Sequence, residues 1–352
     1  MKTARQLKKL RRLSALILAV ALLAVLAACG NGAQDTTAAG GETQKSEGSS
    51  GAADGQKKIG VIQLTQHPAL DASYQGFVDA LADAGYVDGE KIVIDYNNAS
   101  GDTPNCTAIA EKLVNNNSDL ILAIATPAAQ AVASKTTTIP IIGTAITDFA
   151  EAGLADTNEA PGGNVSGSSD LNPVEEQFNL LKQLLPDAKK IAIMYCSSED
   201  NSRLQAELAK DMCEKLELEW VEYTVSDSSM IQSVAESMIG KADAVYIPTD
   251  NLLAEGMATV AMVTNANHLP CIVGEEGMVR NGGLATYGLD YYNLGRLAGE
   301  MAVKVLEGAD ISTMPVEYLA AADCTLSINM TAAKDLEITI PEELSGRATL
   351  VE

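Results

Sequence analysis

Acidic side chains stand in short loops directly after apolar, strand-like runs of this chain. Asp250 follows the run at residues 244–247, and Glu275 follows the run at residues 271–274. In parallel α/β sheets, ligands bind beyond the carboxyl ends of the strands, so both carboxylates are candidates for one binding site. A carboxylate there can pair with an ammonium group of a small ligand. We therefore predict that Asp250 and Glu275 recognise an ammonium group, the alternative being two solvated loop acids.

A second candidate is a predicted helix that starts at Thr126 and Pro127, after the apolar run at residues 120–125. Proline suits the first turn of a helix. The free backbone N–H groups and the positive end of the helix dipole can bind a carboxylate without a lysine or arginine. Thr126 could instead cap the helix, which stabilises a helix by about 1 kcal/mol. The two roles are compatible.

The other candidates lie in further loops after predicted strands. His67 precedes a proline, which favours extended backbone, and its ring could contact a ligand or cap the following helix. The rings of Tyr195, Tyr287 and Tyr291 could sandwich a ligand side chain, the alternative being that each only packs within the fold. The predicted ligand-binding residues are Gln66, His67, Thr126, Pro127, Ala128, Ala145, Thr147, Tyr195, Ser197, Thr249, Asp250, Asn251, Glu275 and Asp290.

Alternating strands and helices must position these loops. Residues 59–64 form an apolar run typical of a buried strand, and apolar residues between 70 and 82 recur at helical spacing. Comparable units follow, and a second series starts near residues 162–167. The pattern predicts an α/β fold with two doubly wound parallel sheets.

Composition and motifs exclude several functions. The formal net charge is −23, which disfavours binding to nucleic acid. The sequence lacks GxSxG, GxGxxG, P-loop and HExxH motifs, and with only two histidines a catalytic triad lacks a plausible base. The six cysteines have no spacing that suits zinc. We therefore predict a binding protein with no metal or cofactor, and small buried hydrophobic roles for Cys196 and Cys271.

The first 29 residues have the features of a secretory signal. A basic start precedes an apolar run at residues 15–28 that is too short to span a bilayer comfortably. Residues 26–30 resemble a bacterial lipobox, which predicts cleavage before Cys29 and its lipidation. An uncleaved anchor, or ordinary cleavage near Ala28, is the alternative. Residues 30–57 are rich in glycine and polar residues and predict a flexible tether.

Four sequence features together resemble one protein family. They are the lipobox with its tether, the strings at 66–71 (QHPALD) and 125–131 (ATPAAQA), and the ending at 326–334 (LSINMTAAK) completed by 338–341 (ITIP). Residues 58–352 are similar to the substrate-binding component of ABC importers, in the family that includes tryptophan and tyrosine binders. The resemblance implies two doubly wound lobes joined by a three-segment hinge, the type I periplasmic-binding-protein fold. It places lobe 1 at 58–165 plus about 290–320, and lobe 2 at 166–289 plus about 321–352.

These observations predict a lipid-anchored, extracytoplasmic, monomeric receptor rather than an enzyme. It would capture a small ligand between its lobes and present it to an ABC permease and its ATPase. The ligand is expected to be an amino acid, with an aromatic one favoured by the resemblance alone. The alternatives are a sensor lipoprotein for a sugar or nucleoside-like solute and an extracellular α/β enzyme. The redox state of Cys106, Cys196, Cys213, Cys271 and Cys324 is left open.

Overall fold

We describe a computed structural model of the protein at residues 55–320 and 323–352. The predicted signal segment, the lipidation site at Cys29 and most of the predicted tether lie outside these residues. Within them, no helix is both long and apolar enough to cross a membrane. The five described cysteines are free, and the predicted burial of Cys196 and Cys271 is confirmed.

The first sheet has six strands, and all its pairings are parallel. Its strands are β1 Lys57–Gln63, β2 Ile92–Asn98, β3 Leu120–Ile124, β4 Ile141–Ile146, β5 Val165–Ser169 and β11 Glu317–Tyr318. Their order in the sheet is β11-β5-β4-β3-β1-β2. Strand β3 is buried along its whole length, as expected for a central strand covered on both faces.

The second sheet has seven strands. They are β6 Lys190–Cys196, β7 Glu219–Val225, β8 Ala244–Ile247, β9 Cys271–Val273, β10 Ala285–Gly288, β12 Thr325–Asn329 and β13 Thr349–Val351. Their order in the sheet is β13-β12-β10-β9-β8-β6-β7. The pairing of β10 with β12 is antiparallel and the others are parallel. Apolar cores cover both faces of this sheet, one around Phe178 and Tyr246 and one around Met257 and Val273.

Helices cover the faces of both sheets. They are α1 Pro68–Asp83, α2 Thr103–Asn115, α3 Thr126–Ala133, α4 Val174–Leu184, α5 Asp200–Lys215, α6 Ile231–Met238, α7 Asn251–Ala266, α8 Glu276–Arg280, α9 Tyr291–Leu306, α10 Met330–Asp335 and α11 Glu342–Ser345. Short 3₁₀ helices lie at Ser228–Met230 and Ile311–Thr313. We call the first sheet with α1–α3 and α9 the first lobe, and the second sheet with the other α-helices the second lobe.

Helices α1 and α9 approach each other closely because glycines lie where they cross. A Cβ atom on Gly76 would come 2.0 Å from the carbonyl oxygen of Tyr292, and one on Gly295 would come 1.9 Å from that of Ser73. No side chain fits at such distances, so the two backbones pack directly on each other. This contact fixes the start of α9, and therefore Tyr291, against the first lobe.

Three segments connect the two sheets, at residues 170–173, 289–290 and 319–324. Residues 321–322 of the last segment are not among the described residues. The predicted α/β fold with two lobes and a three-segment hinge is thus confirmed. Strand β5 at Val165–Ser169 pairs with β4, so the first sheet extends to residue 169, whereas the sequence prediction enters lobe 2 at 166. The individual lobe boundaries stay predictions.

Candidate ligand-binding site

A small cavity lies between the two lobes at the carboxyl ends of their strands. We call it the central cavity; its volume is about 10 Å³. Its lining residues are His67, Leu70, Ala145, Asp170, Asn201, Thr249, Asp250, Asn251, Ala254, Glu275 and Tyr291. A cavity of roughly 10–15 Å³ admits about one water molecule. A larger ligand can therefore enter only if the lobes move apart.

Two further cavities adjoin the central cavity along the same cleft. The rim cavity has a volume of about 540 Å³ and shares Asn201 with the central cavity. The side cavity has a volume of about 70 Å³ and shares Asn251 with it. Polar contacts join the lobes beside these spaces. The Thr65 hydroxyl donates to Glu255 over 2.9 Å, and the Gln130 amide donates to Asp200 over 2.7 Å.

Two of the central carboxyls serve as helix caps. Asp250 accepts from the backbone N–H of Leu253 over 2.8 Å at the start of α7, and from that of Cys196 over 2.5 Å. Glu275 accepts in the same way from the first backbone N–H groups of α8. Burial raises the pKa of each to about 7, and the negative charge of Glu199 adds to the shift at Asp250.

The third carboxyl, Asp170, has a different environment. It lies in the first crossing segment, and its side chain accepts from the hydroxyls of Thr147 over 3.1 Å and Tyr291 over 2.8 Å. Burial raises its pKa to about 6, and those hydrogen bonds oppose the shift. Burial also raises the pKa of Glu199, whose carboxylate accepts from the side-chain amides of Asn201 and Asn251.

No lysine or arginine is among the described residues that line the central cavity. The pKa of His67 is lowered by burial, so its ring is neutral near pH 7. Its Nε2 atom lies 3.3 Å from the side-chain oxygen of Asn251, and its Nδ1 atom is buried without a partner. Three carboxyls without a buried cation therefore favour a positively charged group in this cavity.

The first lobe presents a helix start and strained backbone to the same cleft. The side-chain oxygen of Thr126, the first residue of α3, is buried without a partner, so this hydroxyl does not cap the helix. The preceding Ala125 has φ 82°, and Ala145 in β4 has φ 55°. Left-handed backbone is uncommon outside glycine, and it concentrates at ligand-binding sites. The α3 start leaves a hydroxyl and backbone N–H groups for an anionic group.

The structure brings some of the predicted residues together and separates others. Those in the central cavity are His67, Ala145, Thr249, Asp250, Asn251 and Glu275, while Thr126 lines the rim cavity and Pro127 the side cavity. Thr147 contacts the cavity through Asp170. Asp290 caps α9 and lines a separate cavity of about 260 Å³ beside the hinge.

Besides Thr147, four other predicted residues line none of these cavities. Gln66 is exposed, and Ala128 is buried in the first core. The Tyr195 hydroxyl donates to Glu222 over 2.8 Å, and the Ser197 hydroxyl donates to the carbonyl oxygen of Val225 over 3.4 Å. Both hydroxyls therefore bond to residues of the second lobe, and neither residue lines the central cavity.

Sequence reasoning missed Asp170 and Asn201. Asp170 follows β5, whose sequence Val-Ser-Gly-Ser-Ser has the small polar residues of a turn and was not predicted as a strand. Asn201 lies in the first turn of α5, beyond the loop that leaves β6. If β5 had been recognised as a strand, Asp170 would have been predicted as a site residue, because it follows the carboxyl end of a strand as Asp250 does.

The raised pKa of Asp170 predicts how stability depends on pH. The unfolded chain ionises this carboxyl at lower pH than the folded protein does, so its contribution to stability falls as pH rises from about 4 to about 6. Asp170→Asn cannot ionise. Its free energy of unfolding should therefore gain about 2.4 kcal/mol relative to wild type between about pH 4 and pH 7. Urea unfolding of both proteins at the two pH values measures this, and a pH-independent difference would contradict it.

Comparison with known proteins identifies similar chains. Residues 58–352 match the family model described as ABC transporter substrate binding protein. The chain is 42% identical over 331 residues to the tyrosine-binding protein of Clostridioides difficile (strain R20291), covering 94% of each.

Two solved structures extend the comparison. An ABC domain from Streptococcus pneumoniae in complex with L-Trp has TM-score 0.81 and 40% identity, over 84% of this chain and 100% of that one. The ligand-free, open structure of a Clostridium difficile substrate-binding protein with adhesive properties has TM-score 0.66 and 42% identity, over 84% of this chain and 99% of that one.

Proposed function

The chain belongs to the family of ABC transporter substrate-binding proteins, and from this membership we propose that it binds an aromatic amino acid between its lobes. An ABC permease with its ATPase is the partner that receives the ligand. The observation that carries the amino-acid assignment is the central cavity, where three buried carboxyls meet without a lysine or arginine. Relatives that bind tyrosine or L-Trp support the aromatic class.

The two ends of an amino acid fit opposite sides of the cleft. The α-ammonium group is placed among the carboxyls of the central cavity, where it offsets their charge. The α-carboxylate is placed at the start of α3, where Thr126 offers an unpartnered hydroxyl beside the first backbone N–H groups. The predicted residues His67, Ala145, Thr249 and Asn251 complete the lining of the central cavity in this proposal.

Lobe closure accompanies binding in this proposal. The central cavity is too small for an amino acid to enter without lobe movement, and polar bonds such as Thr65 to Glu255 cross the cleft. The structure also superposes better on the L-Trp complex than on the open, ligand-free relative, although both relatives are similarly identical in sequence. Contacts that form only on closure then contribute to affinity.

The predicted segments outside the described residues complete the proposal. We place the mature protein on the extracytoplasmic side of the membrane, anchored by lipid on Cys29 and held away from the surface by the tether. The receptor acts as a monomer in this scheme and makes no covalent bond to its ligand.

A ligand screen tests the proposed function. Thermal unfolding is measured with each of the twenty amino acids, with sugars and nucleosides as the comparison group. A ligand present at 100 times its dissociation constant stabilises the folded state by about 2.7 kcal/mol, so an aromatic amino acid should raise the melting temperature clearly. A shift caused only by a sugar or nucleoside would reject the amino-acid assignment, and release of a chemically altered ligand would reject the binding-protein assignment.

A further inference from the structure

We propose that Asp170 is the carboxylate that pairs with the α-ammonium group of the ligand, and that Asp250 and Glu275 are primarily structural. This inference rests on the proposed function and deepens it by naming the residue that recognises the amino group. It replaces the sequence-based assignment of the ammonium partner to Asp250 and Glu275.

The partners of the three carboxyls separate their roles. Asp250 and Glu275 accept from backbone N–H groups at the starts of α7 and α8, and an N–H group can only donate. Their carboxylates are therefore required by the two helices. Asp250 also bonds to the Ser202 side chain, but backbone N–H groups engage both of its oxygens. Each oxygen of Asp170 instead accepts from a side-chain hydroxyl, that of Thr147 or Tyr291, and a hydroxyl can donate or accept. Its bonds can rearrange when a cationic ligand arrives.

The fold does not need a charge at Asp170. An asparagine has nearly the same shape, and its amide could donate to a hydroxyl that has turned to accept. The negative charge is buried, with 5% of the residue exposed, and no described lysine or arginine lines its cavity. A buried charge without an opposite charge beside it costs stability, so a function that uses the charge is the simplest account of it.

Unpartnered polar atoms in the same cavity point independently to a ligand. The side-chain oxygen of Asn201 and the Nδ1 atom of His67 are buried without hydrogen-bond partners, and both residues are more than nine-tenths buried. An ammonium group has three N–H donors and needs several acceptors. The Asp170 carboxylate and the Asn201 oxygen both supply acceptors in the lining of the central cavity.

The position of Asp170 also connects the ligand to the hinge. Asp170 lies in the first crossing segment, and its partner Tyr291 directly follows the second crossing segment at residues 289–290. An ammonium group bound to Asp170 therefore contacts the point where two of the three crossing segments are joined. This geometry makes recognition of the amino group sensitive to lobe closure.

The test compares two ligands and two proteins by isothermal titration calorimetry. The ligands are tyrosine and 3-(4-hydroxyphenyl)propanoate, which lacks the amino group. The proteins are wild type and Asp170→Asn. Removing one member of a buried charge pair typically weakens binding by about 30-fold or more, so Asp170→Asn should lose at least that factor for tyrosine. Its affinity for the desamino ligand should stay within about threefold of wild type, because that ligand has no group to pair.

Two control variants sharpen the test. Asp79 also accepts from a tyrosine hydroxyl, that of Tyr292 over 2.9 Å, but it lies outside the central cavity, so Asp79→Asn should bind tyrosine as wild type does. Tyr291→Phe removes one hydroxyl that holds Asp170. It should weaken tyrosine binding by about tenfold and spare the desamino ligand, which tests the proposal even if Asp170→Asn does not fold.

Different results would contradict the assignment of Asp170 and the proposed function. Unchanged tyrosine affinity in Asp170→Asn, or equal losses for both ligands, would overturn the assignment of Asp170 while leaving the proposed function intact. If wild type binds neither tyrosine nor any other aromatic amino acid, the proposed function itself fails and this inference fails with it.

Discussion

The Gly295→Leu variant should fail to accumulate as folded protein. Even a Cβ atom at residue 295 would lie 1.9 Å from the carbonyl oxygen of Ser73, so a leucine must separate α1 from α9. Because both partners at this crossing are backbone atoms, no side chain can rotate to relieve the overlap. The expected loss in the free energy of unfolding exceeds about 4 kcal/mol, a large share of the roughly 5–15 kcal/mol that stabilises a folded domain.

Gly163 provides the matched control. A Cβ atom there meets nothing within 4 Å, so Gly163→Ala should change stability by less than about 0.5 kcal/mol. Soluble yield and urea unfolding measure both variants. A Gly295→Leu protein with wild-type stability would mean that α1 and α9 do not pack as described, and the position of Tyr291 beside Asp170 would lose its support.

The Gln205→Ala variant should shift the protein toward an open arrangement and weaken ligand binding by about tenfold to hundredfold. Gln205 in α5 is fully buried and joins the lobes. Its amide donates to the hydroxyl of Thr147 in the first lobe over 3.2 Å, and also to that of Thr249 in the second. Alanine would leave these groups buried without partners when the lobes close, whereas water can satisfy them when the lobes separate.

Gln177 is the control for this prediction because it is also fully buried but has all its described partners in the second lobe. Gln177→Ala should lower the free energy of unfolding and leave the dissociation constant within about threefold of wild type. Small-angle scattering with and without tyrosine, combined with calorimetry, separates the two effects. Equal scattering and equal affinity for Gln205→Ala and wild type would show that Gln205 does not hold the lobes together.

Both Gln205 and Asp170 bond to the hydroxyl of Thr147. The hydroxyl donates to Asp170 and accepts from Gln205, so one polar chain runs from the hinge through the first lobe into the second. In the proposed mechanism, a ligand ammonium group at Asp170 changes the charge at one end of this chain. The network therefore offers a physical link between amino-group recognition and lobe closure.

The sequence predicted most helices and strands that carry a strong apolar pattern. In Tyr291–Leu306 and Thr325–Asn329, for example, apolar residues recur with the period of the helix or strand that each segment forms. Strand β5 was missed because its small polar residues carry no apolar pattern. Its buried environment comes from the paired strand β4 and from α9, where the Ser168 hydroxyl donates to the carbonyl oxygen of Leu294. The two-residue strand β11 is likewise defined by its pairing with β5.

Site prediction succeeded and failed for related reasons. Placing polar loops at strand ends correctly identified where the lobes meet, because parallel strands direct their carboxyl ends to one edge of each sheet. The same rule could not tell that the Tyr195 hydroxyl bonds to Glu222, or that Asp250 holds the start of α7. Each of these hydrogen bonds depends on which partner lies nearest in space, and that partner can be far away along the sequence.

The sequence by itself determined the fold class, the acidic and polar character of the cleft, and the absence of recognisable catalytic motifs. These properties follow from residue types and from periodicities that each segment carries alone. Only the tertiary structure decided which carboxyl is committed to helix amides and which is held by rotatable hydroxyls. That distinction arises because Asp170, Thr147 and Tyr291 meet only when the first lobe and the hinge are folded.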